Sequence, residues 1–365
     1  MRRNWPSTWW PAWGISSGRE DACPHRQEPG RSNESGSAGH EVALRRMTAT
    51  SGALPMNLHV LSGPPPRSVA RRPSEWSPTS TSRLRRPMKG LDMTITTTEN
   101  TRRSTLLARS PSAYIASVMS EGQRFAGAAD SGGLDVPIAA CPGWNMRDLV
   151  RHLGEIHLWA AANVAFPTPR WLHVTDLTDL ARYWPELASR WPSDGDLVTW
   201  YRATLANLVD VLRSAPAQVE AFTFLPASTP LTMWARRQAS EIAVHRFDAE
   251  HARGVDSSFE PTFAADMLDE LLSGFAPLYQ DVRTDVARVL RIVATDEDEQ
   301  WWLTMSPSGM TTARHGADAD LTLAGTAADL YLTMWNRTSG TNLDLGGDAG
   351  VLEVWRNSCQ VVWSG

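Results

Sequence analysis

Arg237-Gln-Ala-Ser-Glu-Ile-Ala-Val-His-Arg-Phe-Asp248 is the most strongly patterned stretch of this 365-residue chain. Glu241 and His245 are four residues apart, so a helix places them one turn apart on one face, and Asp248 continues that face. Apolar residues cover much of the remaining surface of the segment. A carboxylate and an imidazole that share one face of such a helix are typical of a divalent metal site inside a helical bundle.

A second patterned helix, upstream of the first, supplies a third candidate ligand. Asn145-Met-Arg-Asp148 is a capping box in its Asn/Asp form, and the spacing of the apolar residues after it predicts a long helix. His152 lies on the apolar stripe of that helix, about ninety residues before Glu241. A single histidine on such a stripe is more often a satisfied core residue. A buried carboxylate, however, needs a cation or a hydrogen-bond donor nearby.

Two interpretations of these three residues are open on physical grounds. In the first, His152, Glu241 and His245 ligate a metal and leave coordination positions open, as in a site that carries out a reaction. In the second, they form a buried Glu–His ion pair that needs no metal. We favour the first interpretation, because an isolated buried carboxylate such as Glu241 is costly to ionise without a cation nearby.

Other polar residues near these helices are weaker candidates. Asp248 is a further metal ligand, fixes an imidazole from outside the ligand set, or pairs with Arg237 or Arg246, and we favour the pairing. His157 points about 140° away from His152 around the helix axis, which makes it a poor ligand. Cys141 has no base or metal ligand next to it in the sequence and is expected to pack as a small hydrophobe. The histidines expected at the surface are His173, His251 and His315.

Four long helices are predicted before residue 255, which is the pattern of a four-helix bundle with one extended crossing. The first opens at Pro111, with Ser112 as a candidate N-cap. Prolines interrupt 167–195 and leave room only for a short helix near 176–190. The long helices are expected at 111–129, from 145 onward, at 197–214 and at 231–254, where Gly254 is placed to end the last one.

After Asp256 the pattern changes to short strands and helices, as in a small α+β unit. Thr326 is expected to cap the helix 325–335. The predicted strands are 289–294, 300–305, 319–323 and 343–345, and the further predicted helices are 263–278 and 348–359.

Charge is distributed unevenly along the chain. Residues 1–103 contain 16 Lys and Arg against 8 Asp and Glu, whereas the rest of the chain contains 19 against 32. A basic segment would suit nucleic-acid binding, but this one has no RNA-binding signature and no helical periodicity. Its Pro, Ser, Arg and Gly content cannot bury a core, so we expect a disordered extension. A mis-annotated gene start, with the true initiator at Met88 or Met93, is a further hypothesis.

Targeting signals and cysteines point to an ordinary intracellular protein. Arg2-Arg3 is not followed by the apolar stretch of a secretory signal, and no apolar run approaches the ~20 residues that span a bilayer. The three cysteines lack paired or metal-type spacing, so a disulfide framework is not expected. We therefore expect a soluble cytoplasmic protein that binds neither nucleic acid nor membrane. Its oligomeric state is open.

Several segments resemble one protein family. Val136-Pro-Ile-Ala-Ala-Cys-Pro-Gly-Trp-Asn-Met-Arg-Asp-Leu-Val-Arg-His-Leu-Gly154 resembles the opening motif of the mycothiol-dependent maleylpyruvate isomerase family. Glu241-Ile-Ala-Val-His-Arg-Phe-Asp-Ala-Glu250 resembles the second motif of that family. Ala324-Gly-Thr-Ala-Ala-Asp-Leu-Tyr-Leu-Thr-Met-Trp-Asn-Arg337, followed by Leu345-Gly-Gly-Asp348, resembles its C-terminal domain. The resemblance covers roughly 110–360 in the right order and leaves the first hundred or so residues unmatched.

The resemblance implies a fold and a ligand set. The implied fold is a DinB-like metal-binding four-helix bundle over 104–255, followed by a small sterol-carrier-protein-like α/β domain over 256–365. Ser240 departs from the family pattern, which often has His before the glutamate, and this departure bears on the substrate more than on the metal. The resemblance places a divalent metal, expected to be zinc, on His152, Glu241 and His245.

The chemistry that the resemblance implies is thiol-assisted. The thiol of mycothiol would bind at the open position of the metal, where it loses its proton more readily. The thiolate would add to an activated double bond and leave again after rotation about the resulting single bond. It would serve equally well in a transferase that keeps the adduct. Arg337 is our candidate for binding a small anionic substrate, because guanidinium binds carboxylates through two hydrogen bonds, and a surface arginine is the alternative.

Two other classes of function are compatible with the sequence. One is a DinB-like metal-dependent hydrolase or transferase that does not use mycothiol. The other is a non-catalytic ligand-binding or regulatory protein in which the metal is structural or absent. Metal content separates the last class from the enzymes, and stabilisation by mycothiol separates the enzymes from each other.

Overall fold

The computed structural model describes residues 109–166, 170, 172–174, 176–278 and 282–359. The expectation of a disordered extension over 1–103 lies outside the described residues. Helices come first along the described chain and a sheet follows, which confirms the prediction of a mixed helix-and-sheet fold at that level. Within these ranges, no helix is both long enough and apolar enough to cross a membrane.

The long helices lie where the sequence predicts them, with ends that differ by about two residues or fewer. The helices before the sheet are α1 Pro111–Asp130, α2 Met146–Ala165, α3 Pro185–Ala188, α4 Leu197–Ser214, α5 Pro230–Ala252 and α6 Pro261–Glu270. The remaining elements are β1 Arg288–Ala294, β2 Glu299–Ser306, β3 Gly309–Ala313, β4 Leu321–Gly325, α7 Ala327–Met334, β5 Asp344–Gly347 and α8 Gly350–Ser358.

Local side-chain hydrogen bonds set the starts of α1 and α2. The Asn145 side chain accepts the backbone N–H of Asp148, and the Asp148 carboxylate accepts the N–H of Asn145, which confirms the predicted capping box. At α1 the N-cap is Ser110 and not Ser112, because Pro111 takes the first helical position, where no backbone N–H is needed. The capped start of α2 fixes the direction in which its later side chains point.

The four long helices α1, α2, α4 and α5 pack against one another around a shared apolar core. α1 contacts α4 and α5, and α2 contacts the same two helices. α5 is the most enclosed helix, since every residue from Leu231 to Glu250 except Glu241 is buried. Many of these residues are polar, so ion pairs and hydrogen bonds within the protein must replace the water that they lose.

Between α2 and α4 the structure differs from the prediction of one helix near 176–190. A 3-10 helix, Leu177–Arg182, is followed by the single turn α3. Asp176 caps the 3-10 helix by accepting the N–H of Thr178. Pro185 lacks an N–H and therefore starts a new turn instead of extending the previous one.

The sheet has five strands in the order β3-β2-β1-β4-β5. β1 pairs antiparallel with β2 and parallel with β4, while β3 and β5 lie antiparallel at the two edges. Leu290 and Ile292 of β1 are fully buried opposite Leu303 and Trp301 of β2. The helices α7 and α8 both contact β1, so the central strand is enclosed.

The edge strand β3 was missing from the sequence prediction. It follows a turn at Ser306-Pro-Ser-Gly309, where Gly309 adopts a φ of +115°, and it pairs with the end of β2. A Pro-Ser-Gly turn followed by the β-branched Thr311 and Thr312 is a hairpin signal that could have identified this strand.

The predicted helix 263–278 is also irregular. The regular α-helix ends at Glu270, and the chain continues as a π-helical turn, Leu271–Phe275, and a 3-10 turn, Ala276–Leu278. Gly274 lies within this irregular stretch, and glycine weakens a regular helix.

The C-terminal part of the chain contacts α5 directly. Tyr331 of α7 donates a hydrogen bond of 3.2 Å to the backbone carbonyl of Ser240. Arg337, which follows α7, forms an ion pair with Asp248 of α5. The sheet-containing part thus helps to enclose the helix that carries two of the candidate ligands.

Candidate metal centre

Three side chains that the sequence predicts as ligands meet between α2 and α5. His152 Nε2 lies 3.1 Å from Glu241 Oε1, and His245 Nε2 lies 3.4 Å from the same oxygen. The two imidazole rings are 5.1 Å apart and nearly perpendicular. One ligand atom from each residue lies within 4.8 Å of the other two. Two nitrogen donors and one oxygen donor are therefore close enough to share one ion.

This group is almost completely enclosed by protein. The side chain of His152 is 5% exposed and that of His245 is 1% exposed, while Glu241 keeps 15%. The ring of Trp144, which precedes α2, lies 5.2 Å from the His152 ring. The residual exposure of Glu241 marks the side from which solvent reaches the group.

The ionisation of Glu241 and His152 suits metal binding. Burial raises the pKa of Glu241, but hydrogen bonds from His152 and His245 and the charge of Arg237 outweigh burial and hold that pKa well below its ordinary value. Burial lowers the pKa of His152, which favours the neutral imidazole. For His245 burial also lowers the pKa, but hydrogen bonds to Asp248 and Glu241 leave it raised, so a metal ion would have to displace a proton from this imidazole. An ionised carboxylate with two imidazoles is a donor set that fits zinc and similar divalent ions.

The second oxygen of Glu241 is held away from the histidines. Arg237 Nη2 donates to Glu241 Oε2 at 2.6 Å, and Arg237 Nη1 donates to Glu270 Oε2 at 2.7 Å. The Arg237 guanidinium also lies 4.7 Å from the centre of the Phe275 ring. Glu241 is therefore fixed with Oε1 towards the histidines and Oε2 towards the arginine.

Asp248 holds the far side of His245. Asp248 Oδ2 lies 2.8 Å from His245 Nδ1, and Arg337 donates from Nε to Oδ1 at 3.0 Å and from Nη2 to Oδ2 at 2.9 Å. Burial raises the pKa of Asp248, but the charge of Arg337 and the hydrogen bond with His245 lower it to about 2. The expected pairing of Asp248 with Arg237 or Arg246 is wrong, because Arg237 binds glutamates and Arg246 pairs with Glu121 and Glu250.

Arg337 is a buried residue and not a surface arginine. Its side chain is 7% exposed, and its Nη1 donates to the carbonyl of Trp335 at 2.9 Å. Three of the five N–H groups of its guanidinium are thus engaged by Asp248 and Trp335. The part of Arg337 in binding an anionic substrate remains a prediction.

Cys141 lies beside the same residues, a contact that the sequence does not predict. Its sulfur is 4.0 Å from Asp248 Oδ2, and a ligand atom of His245 is also within 4.8 Å. Burial and the nearby charge of Asp248 raise the pKa of the Cys141 thiol to about 12. The available signal was its position in the loop that leads into α2, the helix that carries His152.

Among the described residues, the other histidines are separate from this group, as the sequence predicts. His157 Nδ1 lies 3.2 Å from Thr204 Oγ1, and the His157 ring packs 5.1 Å from Tyr201. Burial, and then the charge of His152, lower the pKa of His157 to about 3. The exposed histidines are His173, His251 and His315.

Two family models match the chain in consecutive segments. The mycothiol maleylpyruvate isomerase N-terminal domain matches residues 115–250, which include all three candidate ligands. The C-terminal domain of the same family matches residues 262–353, which include Arg337. The chain belongs to the mycothiol-dependent maleylpyruvate isomerase family, and it is therefore an enzyme.

Solved structures of similar proteins were also found. One is a crystal structure of a mycothiol-dependent maleylpyruvate isomerase, at 10% identity and a TM-score of 0.44, covering 65% of this chain and 93% of that one. A histidine-to-alanine variant of a mycothiol-dependent maleylpyruvate isomerase gives 9% identity and a TM-score of 0.46 over the same shares. A sec-alkyl sulfatase double mutant gives 14% identity and a TM-score of 0.23, covering 59% of this chain and 33% of that one. No curated protein matches the chain.

Proposed function

We propose that this enzyme binds a divalent metal ion, expected to be zinc, on His152, Glu241 and His245 and uses mycothiol as its thiol cosubstrate. The reaction is an isomerisation or a thiol transfer on a small, electrophilic and anionic substrate. The observation that carries the proposal is the approach of the three ligand atoms to within 4.8 Å of one another. This trio lies inside the segment matched by the N-terminal family model.

The proposal includes the finer architecture and the domain limits. We assign residues 104–255 to a DinB-like four-helix bundle and residues 256–365 to a sterol-carrier-protein-like α/β domain. The mutual packing of the four long helices supports the first assignment. The mixed five-stranded sheet with helices against its central strand supports the second.

The residues around the site would supply charge to the metal, orient its ligands and exclude water. A divalent metal held by His152, Glu241 and His245 would lower the pKa of a bound thiol, so that thiolate would be present at neutral pH. Glu241 supplies negative charge through one oxygen while Arg237 holds the other oxygen. His152 and Trp144 close the site on the α2 side, which limits the access of bulk water.

Arg337 is the candidate for binding a substrate carboxylate. Two of its N–H groups are outside the contacts with Asp248 and Trp335, and a carboxylate would use them. Its buried position beside the candidate ligands supports this role.

Metal analysis of the purified full-length protein tests the ligand set. Wild type is expected to carry about one divalent metal per chain and Glu241→Ala to carry almost none, because its carboxylate is one of only three protein ligands. Glu250→Gln is the matched control, since Glu250 is a buried, ion-paired glutamate on the same helix but outside the trio. Equal metal occupancy in wild type and Glu241→Ala would refute the ligand assignment.

Thermal denaturation with mycothiol tests the cosubstrate. Saturation at 100 times the dissociation constant is expected to stabilise wild type by about 2.7 kcal/mol and to have no effect on His152→Ala. A metal-loaded wild type that mycothiol does not stabilise would instead favour the DinB-like hydrolase or transferase that uses no mycothiol. The third class, a non-catalytic protein, does not agree with membership of an enzyme family.

A further inference from the structure

Arg337 binds the buried carboxylate of Asp248 through two parallel hydrogen bonds. Nε and Nη2 of the guanidinium each donate to a different oxygen of Asp248, at 3.0 and 2.9 Å. Asp248 is fully buried and Arg337 nearly so. Two parallel hydrogen bonds fix both the position and the rotation of a carboxylate, which one hydrogen bond cannot do.

The fixed carboxylate in turn determines the orientation of His245. Asp248 Oδ2 lies 2.8 Å from His245 Nδ1, so Nδ1 carries the hydrogen of that contact. The lone pair of the neutral ring is then on Nε2, the atom that lies 3.4 Å from Glu241 Oε1. A carboxylate behind a ligating histidine commonly sets ring orientation and tautomer in this way.

Arg337, on which these contacts depend, lies outside the four long helices. Arg337 follows α7, 89 residues after Asp248, and is itself held by the carbonyl of Trp335. The Trp335 ring lies 5.9 Å from the Arg337 guanidinium and 6.0 Å from that of Arg237, the residue that holds Glu241. Trp335 therefore lies near both Arg237, which binds Glu241, and Arg337, which reaches His245 through Asp248.

We propose that Arg337 is a positioning residue of the metal site, which acts through Asp248 to hold His245 in its ligating orientation. This inference rests on the proposed function, because the metal site is part of that proposal. It also gives the C-terminal domain a defined task, namely to complete a ligand set whose members all lie on α2 and α5. The role differs from substrate binding in what a substitution changes: metal affinity instead of the KM for an anionic substrate.

The test measures metal affinity in the full-length protein and uses a double-mutant cycle. Affinity for Zn²⁺ is obtained by competition with a chromophoric chelator, and the visible absorption of the Co²⁺ form reports the coordination geometry. Arg337→Gln and Asp248→Asn are each expected to weaken Zn²⁺ binding by about tenfold or more. The double variant should stay within about twofold of Asp248→Asn alone, because both residues act through one path.

A conservative variant of Arg337 and a control variant at a distant arginine test whether the effect is specific. Arg337→Lys keeps the charge but loses the two-pronged geometry, so it should fall between wild type and Arg337→Gln. Arg356→Gln is the control, since Arg356 is an arginine of the same domain that pairs with the exposed Glu353. If Arg337→Gln does not fold, as judged by circular dichroism, Arg337→Lys and Asp248→Asn decide the question.

The outcomes separate this inference from the proposed function. A wild type that binds no metal would overturn both. A wild type that binds Zn²⁺, together with an Arg337→Gln variant of equal affinity, would overturn the positioning role alone. A raised KM for an anionic substrate with unchanged metal affinity would do the same and would assign Arg337 to substrate binding. A further tenfold loss when Arg337→Gln is added to Asp248→Asn would show that Arg337 does not act through Asp248.

Discussion

Glu155 of α2 lies where its surroundings disfavour the ionised carboxylate. It is partly buried, and burial followed by the charges of Asp176 and Asp179 raises the pKa of Glu155 to about 7. In the unfolded chain a glutamate releases its proton near pH 4.3. The folded state therefore binds more protons between these two values, and it loses stability as the pH rises from about 4.3 to about 7.

Glu155→Gln is accordingly expected to stabilise the protein only at higher pH. At pH 8 the free energy of unfolding should rise by about 1 kcal/mol, less than the full pKa shift would give because the site is partly solvated. At pH 4 the difference should vanish. Urea denaturation at both pH values measures the effect, with Glu186→Gln as the exposed control. An equal gain at both pH values would contradict the electrostatic explanation.

The candidate site shows which residues a sequence reveals by itself. Glu241 and His245 follow from helical spacing, and His152 from its place on an apolar stripe, because both features are local. The partners of Asp248 could not be predicted, since Arg337 and Cys141 lie 89 and 107 residues away and meet it only in the folded chain. Side-chain pairing over such distances depends on tertiary packing, which helical periodicity does not describe.

Two glycines within helices illustrate how packing can override helix propensity. A Cβ added at Gly154 of α2 would lie 2.2 Å from Cζ3 of Trp200, whose indole N–H is fixed on the carbonyl of Leu187 at 2.7 Å. A Cβ added at Gly127 of α1 would meet nothing within 4 Å. Gly154 therefore allows α2 and α4 to approach closely, whereas Gly127 has no such task.

The two glycine-to-alanine substitutions should consequently have opposite effects. Gly127→Ala is expected to raise the free energy of unfolding by about 0.5 to 1 kcal/mol, because alanine favours the helix. Gly154→Ala is expected to lower it by roughly 1 to 3 kcal/mol, because the overpacked indole cannot move without breaking its hydrogen bond. Thermal denaturation of both variants measures the difference. A stabilised Gly154→Ala variant would show that α2 and α4 are not packed this tightly.

At the level of elements, prediction succeeded where a periodic pattern was long and had a cap. The helices α1, α2 and α5 meet both conditions, and the capping box at Asn145 is an example, whereas α4 follows from its apolar periodicity alone. It failed where a short element depended on its neighbours: β3 forms because β2 offers it an edge. The single helix expected near 176–190 is divided because Pro185 interrupts it, an effect that apolar spacing does not register.

A buried network links the helical part of the molecule to the sheet. Asp269 of α6 is fully buried, and its Oδ2 accepts from Arg236 of α5 at 3.1 Å. Its Oδ1 accepts from the Trp301 indole of β2 at 3.0 Å, and Arg314, which follows β3, lies 3.7 Å from the same oxygen. One carboxylate thus balances two guanidinium groups that come from different parts of the fold.

Asp269→Asn should destabilise both parts of the molecule together. Arg236 and Arg314 would each lose one of two carboxylate partners, because Arg236 keeps Asp266 and Arg314 keeps Glu299, and we expect a cost of about 1 to 3 kcal/mol. Far-UV circular dichroism follows mainly the helices, and fluorescence follows tryptophans that include Trp301 at the sheet. If the network joins the two parts, both urea transitions should shift to lower concentration by the same amount.

Asp130→Asn is the control for that experiment, because Asp130 forms an exposed pair with Arg202 and its loss should cost less than about 1 kcal/mol. A fluorescence transition that separates from the circular-dichroism transition would mean that the two parts of the molecule unfold independently. In that case the helices could keep α2 and α5 together while Arg337 is withdrawn from Asp248. Metal affinity would then fall at urea concentrations at which the helices remain folded. A single shared transition predicts instead that metal binding and helical structure are lost at the same urea concentration.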